Sequence, residues 1–174
     1  MVIEGPVDQD ISTPQNLMGM GIRWAESGDL HQAAKCFAAM TAKDPAHVGA
    51  LYNLGLTYKR LGRHNAAIRC YETASQLSPA DADIWFNWGN ALLAGGDTIA
   101  ALAKLRRAVE LKPEREAFHT NLAAALQESG NLADAIRHFR IALELSPRSA
   151  DLKWNLSLAL PKDGCDEDAW PMFE

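Results

Sequence analysis

Three observations predict an all-α repeat protein. Prolines stand 34 residues apart at Pro45, Pro79, Pro113 and Pro147, and glycines keep the same step at Gly28, Gly62, Gly96, Gly130 and Gly164. A period held that strictly means one supersecondary unit used repeatedly. Inside the period apolar and small residues fall at helical spacing, as in Leu51, Leu54, Gly55 and Tyr58 at i, i+3, i+4 and i+7. Alanine, leucine and other helix formers dominate, and β-branched residues are sparse. Each unit of such an array buries an apolar face against the next and adds to a long surface. The question shifts from reaction to partner.

The elements can be taken in chain order. Residues 1–13 carry no periodicity and are expected to form a flexible arm, which ends where Thr13 offers an N-cap and Pro14 a first-turn proline. The first repeat, 14–47, sets Leu17, Met20, Gly21 and Trp24 on one helix and Ala33 and Phe37 on the next. In the second, 48–81, Gly62 ends the first helix because glycine accepts a left-handed backbone. Its second helix places Ala67, Tyr71 and Ala74 on one face, with Pro79 just beyond. Small residues at Gly55, Ala67 and Ala74 let the two helices approach, and Leu51, Tyr58 and Tyr71 fill the space between them.

The third repeat, 82–115, uses Trp85, Trp88, Gly89, Leu92, Ala101, Leu105 and Ala108 in the same places. The fourth, 116–149, uses Leu122, Ala123, Leu126, Ala135, Phe139 and Ala142, with His119 where the others have Leu or Trp. A partial fifth, 150–174, keeps Leu156, Leu160, Gly164, Ala169 and Phe173 in phase, but Pro161 and Pro171 should shorten or bend its helices. The chain stops inside that unit, which reads as the front piece of a longer protein.

This lettering resembles the tetratricopeptide repeat, and the resemblance covers nearly everything from Pro14 onward. It implies a right-handed superhelical array of antiparallel helix pairs, about four and a half repeats long. The ending GCDEDAWPMFE also resembles, more weakly, the last repeat of bacterial proteins in which such an array leads into a glycosyltransferase-type domain. Ala169 replaces the usual glycine there and Phe173 the tyrosine.

Composition narrows the partner. A net charge of −5 argues against electrostatic capture of nucleic acid, which needs a basic surface. The charge is uneven: residues 48–81 balance at +2 and residues 150–174 at −4. No stretch approaches the roughly 20 apolar residues of a membrane span, and no secretory signal is visible. Cys36, Cys70 and Cys165 are odd in number without a CxxC pair, which fits free thiols in a reducing, cytoplasmic compartment.

In tetratricopeptide arrays the far side of each first helix lines the concave groove, and the resemblance implies the same for Tyr52, Asn53, Leu56, Lys59 and Arg60. Equivalent places give a ladder, Asn53, Asn87, Asn121 and Asn155, broken in the first repeat by Gly19. An asparagine amide offers donor and acceptor together, so it can pair with the backbone of an extended peptide. Rungs roughly 10 Å apart match about three extended residues. A similar ladder lines the repeat superhelix of O-linked N-acetylglucosamine transferase, where it is understood to hold substrate peptides. The alternative is that these amides bond a neighbouring repeat or water. Beside them run Met18, Tyr52, Phe86, Thr120 and Trp154, read as turned away from a filled core stripe, with Asn90 as a further polar group.

The other clusters read as structural. Lys104, Arg106 and Arg107 suit a solvated outer face, and His119 a hydrogen-bonded core histidine. The histidines show no HExxH motif, and no catalytic, metal or cofactor motif is found. The chain therefore reads as a non-enzymatic module binding a protein or peptide segment. Its alternatives are the substrate-recruiting part of a larger enzyme such as a glycosyltransferase, or a scaffold self-assembling through an uncapped C-terminal end.

Overall fold

The computed structural model describes residues 13–160, and every regular element among them is an α-helix. The first helices are α1 (Pro14–Glu26), α3 (Val48–Arg60), α5 (Ala82–Ala94), α7 (Glu116–Glu128) and α9 (Ala150–Ala159). The second helices are α2 (Leu30–Lys43), α4 (His64–Leu77), α6 (Thr98–Leu111) and α8 (Leu132–Leu145). Each first helix begins on the residue that opens a repeat, so the 34-residue step of the sequence is also the step of the fold. Residues 1–12 of the expected arm, and the fifth-repeat positions Pro161, Gly164, Cys165, Ala169, Pro171 and Phe173, lie outside the described residues.

Local chemistry sets the boundaries. The Thr13 hydroxyl accepts from the Asn16 N–H at 3.3 Å, and Pro14 opens α1, where its missing N–H costs nothing. Asp29 and Asp97 cap α2 and α6 in the same way, each at 3.0 Å. After α3 the chain turns through a Schellman pair: Arg63 N–H donates to the Tyr58 carbonyl and Gly62 N–H to that of Lys59. That turn puts Gly62 at φ +72°, and Gly28, Gly96 and Gly130 repeat it at the ends of α1, α5 and α7.

The chain divides into two compact units, Met1–Pro79 and Ala80–Glu174. In the first, α1 pairs with α2, α2 lies against α3, and α3 pairs with α4. Ala33, Phe37, Leu54 and Cys70 form its core, with Tyr71 wholly buried. Burying a side chain the size of Phe37 contributes about 1.5–3 kcal/mol. The helices approach closely because Gly21 faces the Phe37 ring and Gly55 the Tyr71 ring. The Cys36 and Cys70 thiols are free and buried, and burial raises both above the usual thiol range, Cys70 to about 11.

In the second unit α5 pairs with α6 and α7 with α8, while α6 lies against α7 and α8 against α9. Leu105, Leu122, Leu126, Phe139, Leu152 and Leu156 are its core, and Phe118 packs with Ala82 and Ala108 in a second cluster. Asp83 at the start of α5 accepts from Lys112 at 3.0 Å and lies 3.7 Å from Arg115, fastening the α6–α7 loop. These groups are a third to a half exposed, so the bridges are worth no more than about 1 kcal/mol together.

Two expectations need correction. Trp24 holds a stripe position yet is 40% exposed, because the described residues supply no hairpin in front of α1. Lys104 is not simply a solvated cation: its ammonium lies 3.9 Å from the Trp88 ring centroid and 5.4 Å from that of Trp85. Those two indoles stack at 5.5 Å, and a cation over such faces is attracted by their quadrupoles.

Candidate functional site

The four ladder asparagines lie on the first helices α3, α5, α7 and α9, and each unit holds its own part of the row. In the first unit Tyr52, Asn53 and Leu56 are all half-buried on α3. The Asn53 amide donates to the Gly49 carbonyl, one turn back, at 2.9 Å. Tyr52 does not point away from the core, as the sequence suggested; its ring meets Tyr71 edge-on at 6.2 Å. That contact, together with burial, pushes the Tyr71 phenol well above its ordinary range, with burial the larger cause.

In the second unit Asn87 is 8% exposed and donates to the Asp83 carbonyl at 2.9 Å. Asn121 on α7 reaches across to α5 and donates to the Asn90 side-chain oxygen at 2.9 Å. That bond joins the first helices of successive repeats on this face, bringing together two residues singled out separately. Thr120 donates to the Glu116 carbonyl at 3.1 Å and its carboxylate at 2.6 Å. Phe86 is half-buried and stacks on Phe118 at 4.6 Å, again packed rather than free. Trp154 alone of the aromatic row stands out, 62% exposed on α9 beside half-buried Asn155.

The amides of Asn53, Asn87 and Asn121 therefore each use one of two N–H hydrogens inside the chain. At Asn53 and Asn121 a peptide meets one N–H fewer than a whole amide offers. Asn87 sits deepest and is the rung least able to meet one.

His119 is buried and bonded, as its packing position suggested. Its Nε2–H donates to the Pro113 carbonyl at 2.9 Å, so in the neutral ring Nδ1 must accept. The donor is His138 Nδ1–H on α8, at 3.0 Å. Burial first, then the neighbouring His119, pushes His138 down to about 4. Nothing in the sequence pattern pairs these histidines, which stand 19 positions apart on different helices.

Sequence reading also missed two hollows in the first unit. One, of about 570 Å³, is lined by Met18, Gly19, Ile22 and Met40 and also by Asp44 and His47. The other, of about 450 Å³, holds Ile22, Ala25, Phe37 and Asn53, with Glu26 and Arg60 beside them. Ile22 belongs to both. A signal was present: Ile22 stands 34 positions before Leu56 and shares its outward place. Among the described residues no group of three metal-ligating side chains gathers, and no helix is long and apolar enough to cross a membrane.

A family model described as "Tetratricopeptide repeat" matches residues 20–64, and one described as "TPR repeat" matches 58–96. A third, "Bacterial transcriptional activator domain", matches 83–153. No curated protein matches the sequence. Among solved structures, one titled as MamA protein superposes with a TM-score of 0.84 at 23% identity, covering 94% of this chain and 88% of its own. MamA 41-end from Desulfovibrio magneticus RS-1 gives 0.75 at 25% identity, covering 80% and 78%. YrrB, titled as a TPR protein with an unusual peptide-binding site, gives 0.78 at 20% identity, covering 95% and 86%.

Proposed function

We propose that this chain, a tetratricopeptide-repeat protein, is a protein-interaction module that holds a peptide segment of a partner against the outward faces of its first helices. The observation that carries the reading is the chemistry of those faces. Asn53, Asn121 and Asn155 are half-exposed amides, set beside Leu56 and exposed Trp154, on helices whose other side is the core. Apolar surface next to directional polar groups is what an extended peptide needs: rings take its side chains and amides its backbone. YrrB, which shares the fold, is described by its title as having a peptide-binding site.

Nucleic acid fits less well. In the unit that the transcriptional activator model covers, Arg106, Arg107, Lys112, Arg115 and Arg137 are each paired with a carboxylate. A recruiting segment of an enzyme would use the same faces and would differ only in having a catalytic domain attached. The test is capture of partners from the source lysate by the intact chain and by the Asn53→Ala/Asn121→Ala variant. A specific partner lost or weakened in the variant, with helicity unchanged, supports the reading. Equal capture removes the amides from it.

A further inference from the structure

Arg23 and Arg60 form no ion pair among the described residues; Arg60 lines the smaller hollow of the first unit with Glu26, and Arg23 stands by Gly19, which lines the larger with Asp44 and His47. Arg23 Nη1 lies 3.7 Å from where a Gly19 side chain would begin, over the floor of the larger hollow. Arg60 walls the smaller one and donates one N–H to the Ala25 carbonyl at 3.1 Å. That bond holds the guanidinium in place and leaves the rest of its donor fork. The described part of this unit carries seven basic and four acidic side chains, in a protein whose net charge is −5. Gly19 is then less a gap in the asparagine ladder than the open floor of a place for an apolar side chain.

One segment of this same chain has the complementary chemistry. Residues 163–174, outside the described structure, contain Asp163, Asp166, Glu167, Asp168 and Glu174 with no basic residue, and place Trp170, Met172 and Phe173 among them. Acids beside large apolar side chains suit hollows that Met18, Ile22 and Phe37 line, with Arg23 and Arg60 near them, in a unit whose described bases outnumber its acids. We propose that the first unit receives residues 163–174 of a second copy, an apolar side chain entering the hollow at Met18, Gly19 and Ile22 while carboxylates meet Arg23 and Arg60. The inference rests on the reading that first-helix faces bind peptide, and adds the occupant and the place.

The test uses the full-length chain and a fluorescein-labelled synthetic peptide of residues 163–174, followed by anisotropy. The receptor carries Asp166→Asn, Glu167→Gln and Asp168→Asn, so that its own segment does not compete. Saturable binding is expected. Ile22→Glu should weaken it about tenfold or more, and Arg60→Ala several-fold with a shallower salt dependence. Ile22 is exposed enough for that change to leave the fold intact, which circular dichroism verifies, and Ile99→Glu, at an exposed position on the second helix α6, serves as a control expected to change nothing. In sedimentation velocity the unmodified chain should associate with rising concentration and the neutralised chain should not.

Absence of saturable binding overturns the proposal, as does equal binding by the Ile22→Glu and Arg60→Ala variants. An uncharged version of the peptide binding equally well points to a different occupant and also overturns it. A peptide that binds while the unmodified chain stays monomeric removes the second copy. Lysate partners lost with the asparagine variant, alongside failure of this peptide, leave the functional reading standing and sink only this inference.

Discussion

Alanine at Gly55 puts a methyl carbon into the Tyr71 ring. The new Cβ would lie 2.7, 2.8 and 3.1 Å from three ring carbons, where comfortable carbon contacts run about 3.5–4 Å. The ring cannot simply swing away, because Tyr71 is wholly buried and Tyr52 stands against it. Overpacking of this sort costs about 1–3 kcal/mol, while exchanging glycine for alanine inside a helix returns about 1 kcal/mol. Gly55→Ala should therefore destabilise the chain by roughly 0–2 kcal/mol. Gly19→Ala is the matched control, since its Cβ meets only Arg23 Nη1 at 3.7 Å. It should gain about 0.5–1 kcal/mol. Urea unfolding of both variants, followed by circular dichroism, should separate their midpoints by the overpacking term alone. If Gly55→Ala unfolds at or above the midpoint of Gly19→Ala, close helix approach at that glycine is not what the fold requires. The fourth repeat shows the alternative solution, with Ala123 and Phe139 both buried in a hairpin built around the methyl.

Three further outcomes come from the packing. His138, pushed down to about 4 against an ordinary 6.5, adds stability that is complete above pH 6.5 and lost as pH falls toward 4, because the unfolded chain takes the proton first. With the ring half-exposed, screening reduces this to on the order of 1 kcal/mol, and the pH dependence of unfolding should flatten in His138→Gln. Among the described residues the buried Tyr71 hydroxyl has no hydrogen-bond partner, so Tyr71→Phe should leave stability unchanged or raise it by up to about 1 kcal/mol in the same urea assay. Lys104→Met should cost about 0.5–1 kcal/mol and shift the indole fluorescence, through loss of the cation over Trp85 and Trp88.

The fold was legible because the sequence states its punctuation in phase. Gly62 and Pro79 mark the same two breaks that Gly96 and Pro113 mark later, and helix starts at 48, 82, 116 and 150 obey them. Stripe residues such as Leu54, Tyr71, Leu105 and Phe139 are buried where the spacing put them. The candidate site was legible only as a set of positions. Tyr52 and Phe86 occupy outward places, yet their rings are long enough to bend back onto Tyr71 and Phe118, which a helical wheel does not register. The hollows at Ile22 depend on α1, α2 and α3 together, and the His119–His138 bond on α7 and α8. Spacing along one helix carries no information about either.

Photo-crosslinking measures the functional claim most directly. A photoreactive residue replaces Leu56 or Trp154 on the first-helix faces, or exposed Arg69 or Arg140 on second helices, and captured partner peptides are identified by mass spectrometry. Adducts are expected from positions 56 and 154, competed by excess unlabelled partner, and none from 69 or 140. Adducts that form chiefly from the second-helix positions would contradict the functional claim.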